Sequence, residues 1–304
     1  MPTNELINPR LPLLAQWRDY YTLTKPRVVQ LLVFTAIVGM FLATPGMVPW
    51  DVLILGSLGI GLAAASGAVV NHVVDQRVDA QMMRTRQRPL PTGRVNDRDA
   101  FVFALILGVA GIGLLTVAIN PLTAFLTFFS LIGYAVVYTI FLKRATPQNI
   151  VIGGAAGAAP PLLGWTAVTN EVSGYALLLF LIIFTWTPPH FWALAIARKK
   201  EYEKAGIPML PVTHGIEITK GFVLCYTVLL VNVTLLPYFT GMSGLLYLLG
   251  AVLLGAGFLY YALRLKLSPR PDVAMKTFGY SIIYLMALFS FLLVDHYVPI
   301  IWPA

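Results

Sequence analysis

Long stretches without a charged residue alternate with short polar breaks along almost the whole chain. A helix crosses a bilayer with roughly 20 apolar residues. Uncharged, largely apolar runs of about that length fall at 52–71, 101–119, 122–142, 150–169, 175–197, 221–239, 245–263 and 277–294. A shorter run at 28–42 reaches spanning length only by recruiting flanking residues such as Tyr20 and Tyr21. Turns rich in Pro, Gly or Asn, such as Thr44-Pro45-Gly46 and Asn120-Pro121, separate several of the runs. The pattern predicts an all-α, polytopic membrane helix bundle with about nine transmembrane helices. It reads as a single membrane-embedded domain over residues 1–304, with a polar arm at 1–19.

Composition narrows the reading to lipid as the main solvent. Hydrophobic residues make up 58% of the chain and charged residues only 11%, less than half the usual share in a soluble domain. The first 25 residues lack the continuous apolar core and small-residue cleavage site of a signal peptide. Cys225, the single cysteine, sits in an apolar run and excludes an internal disulfide framework.

Charge then orients the bundle. With nine spans, all 21 Lys and Arg fall on the N-terminal arm and alternate connections, and none on the other set. By the positive-inside rule the N-terminus and the basic loops are expected to be cytoplasmic. The net charge of +8 is thus loop asymmetry and implies no nucleic-acid partner. Function is expected on the cytoplasmic side, where the long charged loops lie. Small residues at close spacing, Gly59, Ala63 and Gly67 in one span and Gly153 with Gly157 in another, predict close helix contacts.

The candidate chemistry sits where these spans leave the membrane. Asn71, Asp75 and Asp79 are spaced i, i+4, i+8, an arc of roughly 80° on a helix. Ionisable groups at that depth usually face an internal cavity, and two carboxylates on one stripe repel unless a cation lies between them. Hard oxygen ligands suit Mg²⁺, which keeps waters and bridges to substrate phosphates. Arg84, Arg86, Arg88 and Arg94 follow directly, and guanidinium forks match phosphate oxygens. Acids and arginines in one loop predict a metal-bridged diphosphate. A second polar segment begins at Arg198 and carries Lys200, Glu201 and Glu203. Glu201 is the candidate to complete the metal site with Asp75 and Asp79, and Glu203 competes with it. His190 lies in an apolar span within Pro188-Pro189-His190-Phe191-Trp192. Two prolines there are expected to disturb the helix and open a cavity, in which a histidine could face a flat iron macrocycle. An interhelical hydrogen bond is the alternative, and His72 competes for the same role.

Asn71-x₃-Asp75-x₃-Asp79 followed by Arg-Thr-x-x-Arg-Pro-Leu at 84–90 resembles the first aspartate motif of the UbiA-type superfamily of intramembrane prenyltransferases. Leu23-Thr24-Lys25-Pro26-Arg27, Thr187 to Leu194 and Ala205 to Pro211 are similar to its haem-farnesylating branch. The likeness runs from about Tyr20 to Tyr297. Two departures stand out. The common pattern begins Asn-Asp where this chain has Asn71-His72, and the second motif holds Glu201 in place of two or three aspartates.

The resemblance implies the UbiA-type fold and transfer of a farnesyl group from farnesyl diphosphate to the vinyl group of haem b, with water addition. It implies Mg²⁺ on the diphosphate and catalytic roles for Asn71, Asp75, Asp79, Arg84 and Arg88. Lys25, Arg27, Lys143 and Lys200 would bind diphosphate, and His190 and His72 haem. Membrane lipid and the next haem-modifying membrane enzyme are the implied partners. Two rival readings remain. A hydroxybenzoate or quinone-precursor prenyltransferase would share the aspartate stripe but must lose a ring proton. A transporter would share the spans, but charged loops on one face only argue against alternating access.

Overall fold

A computed structural model describes residues 13–270 and 272–301; positions 1–12 of the polar arm lie outside the described residues. Every regular element among them is helical. In chain order these are α1 (Leu13–Leu23), α2 (Pro26–Leu42), α3 (Val52–Asp79), α4 (Asp97–Ala118), α5 (Pro121–Ala145) and α6 (Asn149–Thr169). Then come α7 (Gly174–Ala197), α8 (Lys199–Lys204), α9 (Leu210–Thr213), α10 (Ile216–Phe239), α11 (Leu245–Leu267) and α12 (Asp272–Ile301). Eight are long and apolar enough to cross a membrane, and the bent pair α1–α2 makes a ninth. The protein is an integral membrane protein.

Local chemistry sets the helix ends. Asn96 and Asn120 cap α4 and α5 by accepting from Asp99 N and Thr123 N, which satisfies amides that have no partner within the helix. Pro121 follows its cap at the first helical position, where a missing N–H costs nothing. Ser173 caps α7 in the same way.

Two departures from regular helix matter for function. α1 and α2 meet at 54°, so the expected extension of the first span through Tyr20 and Tyr21 is a broken one. Pro26 disfavours right-handed helix at the residue before it, and Lys25 there adopts a left-handed conformation with φ of 50°. α5 ends in a π-helix over Gly133–Leu142, a wide turn often found at functional sites. By contrast, α7 runs unbroken through Pro188 and Pro189, so these prolines do not open the helix as the sequence led us to expect.

Neighbouring spans close a ring: α2 on α3, then α4, α5, α6, α7, α10, α11 and α12, which returns to α2. Cross-contacts of α2 with α6 and of α7 with α12 tie it together. Glycines permit the tightest of these. A Cβ on Gly164 would lie 1.9 Å from the Ala36 carbonyl oxygen, and one on Gly39 would lie 2.2 Å from that of Pro161. Gly59 and Gly111 bring α3 onto α4, and Gly153 seats the Tyr138 ring. Gly157, expected to share a packing face with Gly153, meets nothing within 4 Å. Outward positions such as Val117 and Leu253 are fully apolar and 89% and 72% exposed, as a lipid-facing surface requires.

Candidate active site

The last turns of α3 carry the stripe inward. Asn71, Asp75 and Asp79 are 6%, 3% and 5% exposed, and each is held by groups from elsewhere in the chain. Lys25 Nζ, aimed by the α1–α2 break, donates to Asn71 Oδ1. Asn71 Nδ2 donates to Asp75 Oδ2 at 2.9 Å and to Thr139 Oγ1 at 3.4 Å. Lys143, at the end of the π-turn, pairs with Asp75 Oδ2. Arg88 Nη1 donates to Asp79 Oδ2 at 2.6 Å. The loop that supplies Arg88 is pinned by Thr85 Oγ1 on the Asp79 carbonyl and by Gln76 Nε2 on the Leu90 carbonyl. Acids this buried persist only when paired, and here the partners are basic groups that match phosphate.

Tyr134 and Tyr138 stack with centroids 5.7 Å apart on the π-turn, and Thr139 Oγ1 donates to the Tyr134 carbonyl at 2.7 Å. Sequence reasoning missed these side chains, because a π-helix shifts the facing positions off the usual helical period. It also missed Tyr202 on α8, which is 9% exposed. Burial pushes its phenol above the ordinary value. Arg84 and Arg198 oppose that shift, and Glu201 and Asp75 add to it, so Tyr202 lies within electrostatic reach of both polar segments. Its one sequence signal is an aromatic ring inside the charged run Lys199–Lys204.

The other candidates are distributed unevenly. Arg84 is exposed on its loop, within electrostatic reach of His72 and Tyr202. Arg27 and Lys200 are exposed and stand apart from the bonded stripe. Arg198 holds Glu201 Oε1 at 2.6 Å, while Glu201 Oε2 is buried without a partner. Glu203 faces outward. His72 is 2% exposed and neither ring nitrogen has a hydrogen-bond partner.

His190 lies between α7 and α12. Its ring stacks on Trp186 at 4.2 Å and on Phe278 at 4.6 Å, and Nδ1 meets Ser281 Oγ at 2.7 Å. The single Ser281 hydroxyl proton goes to the Phe278 carbonyl at 2.6 Å. His190 Nδ1 therefore donates, and Nε2 carries the free lone pair.

The donor set fits Mg²⁺. Asp75 Oδ1 and Glu201 Oε2 are buried carboxylate oxygens without partners. No cluster of three or more His, Cys, Asp or Glu is preformed among the described residues. An ion usually held by one or two carboxylates plus substrate phosphates needs none.

Below the stripe, α2, α3, α5 and α6 line a partly open apolar cavity of about 90 Å³. Gly67 and Tyr134 line it near the charged end, and Gly157 opens onto it.

The profile of the UbiA prenyltransferase family matches residues 32–292, most of the chain. The chain belongs to the UbiA prenyltransferase family. Among curated relatives, the "Protoheme IX farnesyltransferase" of Alkalilimnicola ehrlichii is 62% identical over 97% of this chain and 98% of its own length. The protein of the same name from Methylococcus capsulatus is 60% identical, covering 93% and 95%. Solved structures of UbiA relatives share the fold at lower identity. A digeranylgeranylglyceryl phosphate synthase superposes with a TM-score of 0.78 at 20% identity, over 93% of this chain and 99% of that one. A UbiA homologue from Archaeoglobus fulgidus, bound to GPP and Mg²⁺, gives 0.61 at 18%, over 90% and 99%.

Proposed function

We infer that this UbiA enzyme transfers the farnesyl group of farnesyl diphosphate to the vinyl group of haem b, with water addition, releasing diphosphate. The observation that carries it is the near full-length identity of about 60% to protohaem IX farnesyltransferases. The buried cluster of acids, lysines and arginines, set directly above an apolar chamber, supports prenyl diphosphate as donor.

In this reading the diphosphate lies at the rim and the isoprenoid chain enters the chamber. Lys25, Lys143, Arg84 and Arg88 bind the diphosphate oxygens, with Arg27 and Lys200 at the outer edge. Asp75 and Asp79 would hold Mg²⁺, with Glu201 the candidate to complete the set, and the ion would supply positive charge to the departing diphosphate. Asn71 keeps Lys25 and Asp75 in register. Ionisation leaves an allylic cation just below the rim, where the vinyl carbon of haem attacks it. The apolar walls keep stray water from that cation. No strong base is needed, because water adds to the cation that the vinyl attack leaves beside the porphyrin, and the proton it then releases goes to the departing diphosphate or to water.

His190 and His72 are the proposed haem contacts. Nδ1 of His190 is committed to Ser281, so Nε2 is the nitrogen that could meet iron, in the way an orienting hydrogen bond fixes iron-ligating histidines. We place the protein in the bacterial cytoplasmic membrane with its N-terminus and basic loops cytoplasmic. The product would pass to the next haem-modifying membrane enzyme. Incubation of the purified protein with haem b, farnesyl diphosphate and Mg²⁺, followed by mass analysis of the haem, tests the assignment. A haem mass raised by one farnesyl group plus water supports it; unmodified haem alongside prenylated hydroxybenzoate would replace it with the quinone-precursor reading.

A further inference from the structure

The short helix α1 is tied to the loop that carries Arg88. Arg94 follows the other loop arginines in sequence, but its side chain goes to α1, where Nε pairs with Asp19 Oδ1 at 3.1 Å. Its Nη2 donates to the Gln87 carbonyl at 3.1 Å, and its backbone N–H to the Pro89 carbonyl at 2.9 Å. One residue thus joins α1 to both chain neighbours of Arg88. Gly93 makes the turn between them with φ of 72°, a left-handed conformation that glycine adopts without a Cβ clash. Thr92 Oγ1 closes that turn on the Arg88 carbonyl at 2.8 Å. Apolar contacts run alongside. Leu23, 0% exposed, lies in one buried cluster with Leu90 and Val95, and Tyr20 meets Phe103 edge-on at 5.1 Å. Two residues beyond Leu23 the chain breaks at Lys25, whose Nζ reaches Asn71.

We propose that α1 is a strap, with Asp19 and Arg94 its positioning residues, which holds Lys25 and Arg88 at the diphosphate rim. The proposal rests on the reading of that rim as a diphosphate site. Arg88 sits on the connection between α3 and α4, residues 80–96. Fixing the backbone of a loose loop costs conformational entropy at every residue, and a ligand that has to order it binds more weakly by that amount. The ties to α1 order the turn around Arg88 before a ligand arrives. Asp19 and Arg94 act through the Gln87 and Pro89 carbonyls, and so through the aim of Arg88.

The test measures binding of farnesyl diphosphate with Mg²⁺ to the full-length protein in detergent, alongside hydrogen exchange of residues 84–95 without ligand. Asp19→Ala is expected to speed exchange in the loop and to weaken binding by about three- to fivefold, the scale of a half-exposed ion pair. The sign is diagnostic, because removing a negative charge near an anion site would by itself tighten binding. In an Arg88→Ala background, Asp19→Ala should weaken binding no further, since residues that act through one contact do not add. The charge swap Asp19→Arg with Arg94→Asp should restore part of the lost affinity. Binding by Asp19→Ala as tight as wild type or tighter would overturn the strap, as would a full loss on adding Asp19→Ala to Arg88→Ala. Unchanged binding by Arg88→Ala alone would remove the diphosphate reading of the rim, and the strap's role with it.

Discussion

A carboxylate that leaves water needs a partner, and Asp75 and Asp79 meet that demand with a lysine and an arginine. Such pairs are not strong stability devices in themselves. Here they hold cations and carboxylate oxygens in register for a ligand carrying both metal and phosphate. Asp75→Asn and Asp79→Asn are each expected to lower turnover by about 10²- to 10³-fold, the usual loss for one electrostatic contact made in the transition state. Steady-state haem farnesylation by variants that remain inserted and monodisperse checks this, and near-normal rates in either would make the stripe structural. The histidines separate the two substrates. His190→Ala should weaken haem binding and shift the absorption of bound haem while leaving farnesyl diphosphate affinity nearly unchanged. Arg88→Ala should do the reverse. Spectral titration of each variant with each substrate decides it; an unchanged haem spectrum in His190→Ala moves the contact to His72. The stripe was legible because its spacing of four residues is local. The tie of His190 to Ser281 was not, because 91 residues separate them.

Among the elements, the α2–α6 contact is the most demanding. The Gly164 Cα faces the Ala36 carbonyl so closely that a methyl group would sit 1.9 Å from its oxygen. Gly164→Ala is expected to destabilise the protein by about 1–3 kcal/mol or more, the range for overpacking a filled interface. Gly157→Ala, which meets nothing within 4 Å, should leave stability unchanged. Thermal unfolding in detergent compares the two, and equal midpoints would contradict the close packing. Apolar run lengths placed the spans, since lipid exposure is summed residue by residue. They missed the break at Lys25 and the π-turn at Gly133–Leu142, because each depends on a few backbone dihedrals that hydrophobicity does not encode. Both irregularities point a lysine, Lys25 or Lys143, at the same acid stripe.

At the scale of the whole molecule, alternation of the spans collects the basic loops on one end of the ring. In a Cys225→Ser background, Lys200→Cys should react with an impermeant thiol reagent from the cytoplasmic side of sealed vesicles, and Glu171→Cys should not. Labelling of Glu171→Cys from that side would invert the proposed orientation. Span positions, the one-sided charge and the inward stripe on α3 were determined by the sequence alone. Each follows from local quantities: transfer of side chains into lipid, the count of Lys and Arg per loop, and the period of a helix. Only the tertiary structure decided which cations reach the acids. Lys25 lies 46 residues from Asn71, and Lys143 lies 68 from Asp75. It also decided that α2, α3, α5 and α6 leave a partly open apolar cavity beneath them. A void is the space that several packed surfaces fail to fill, so no single segment of the chain specifies it.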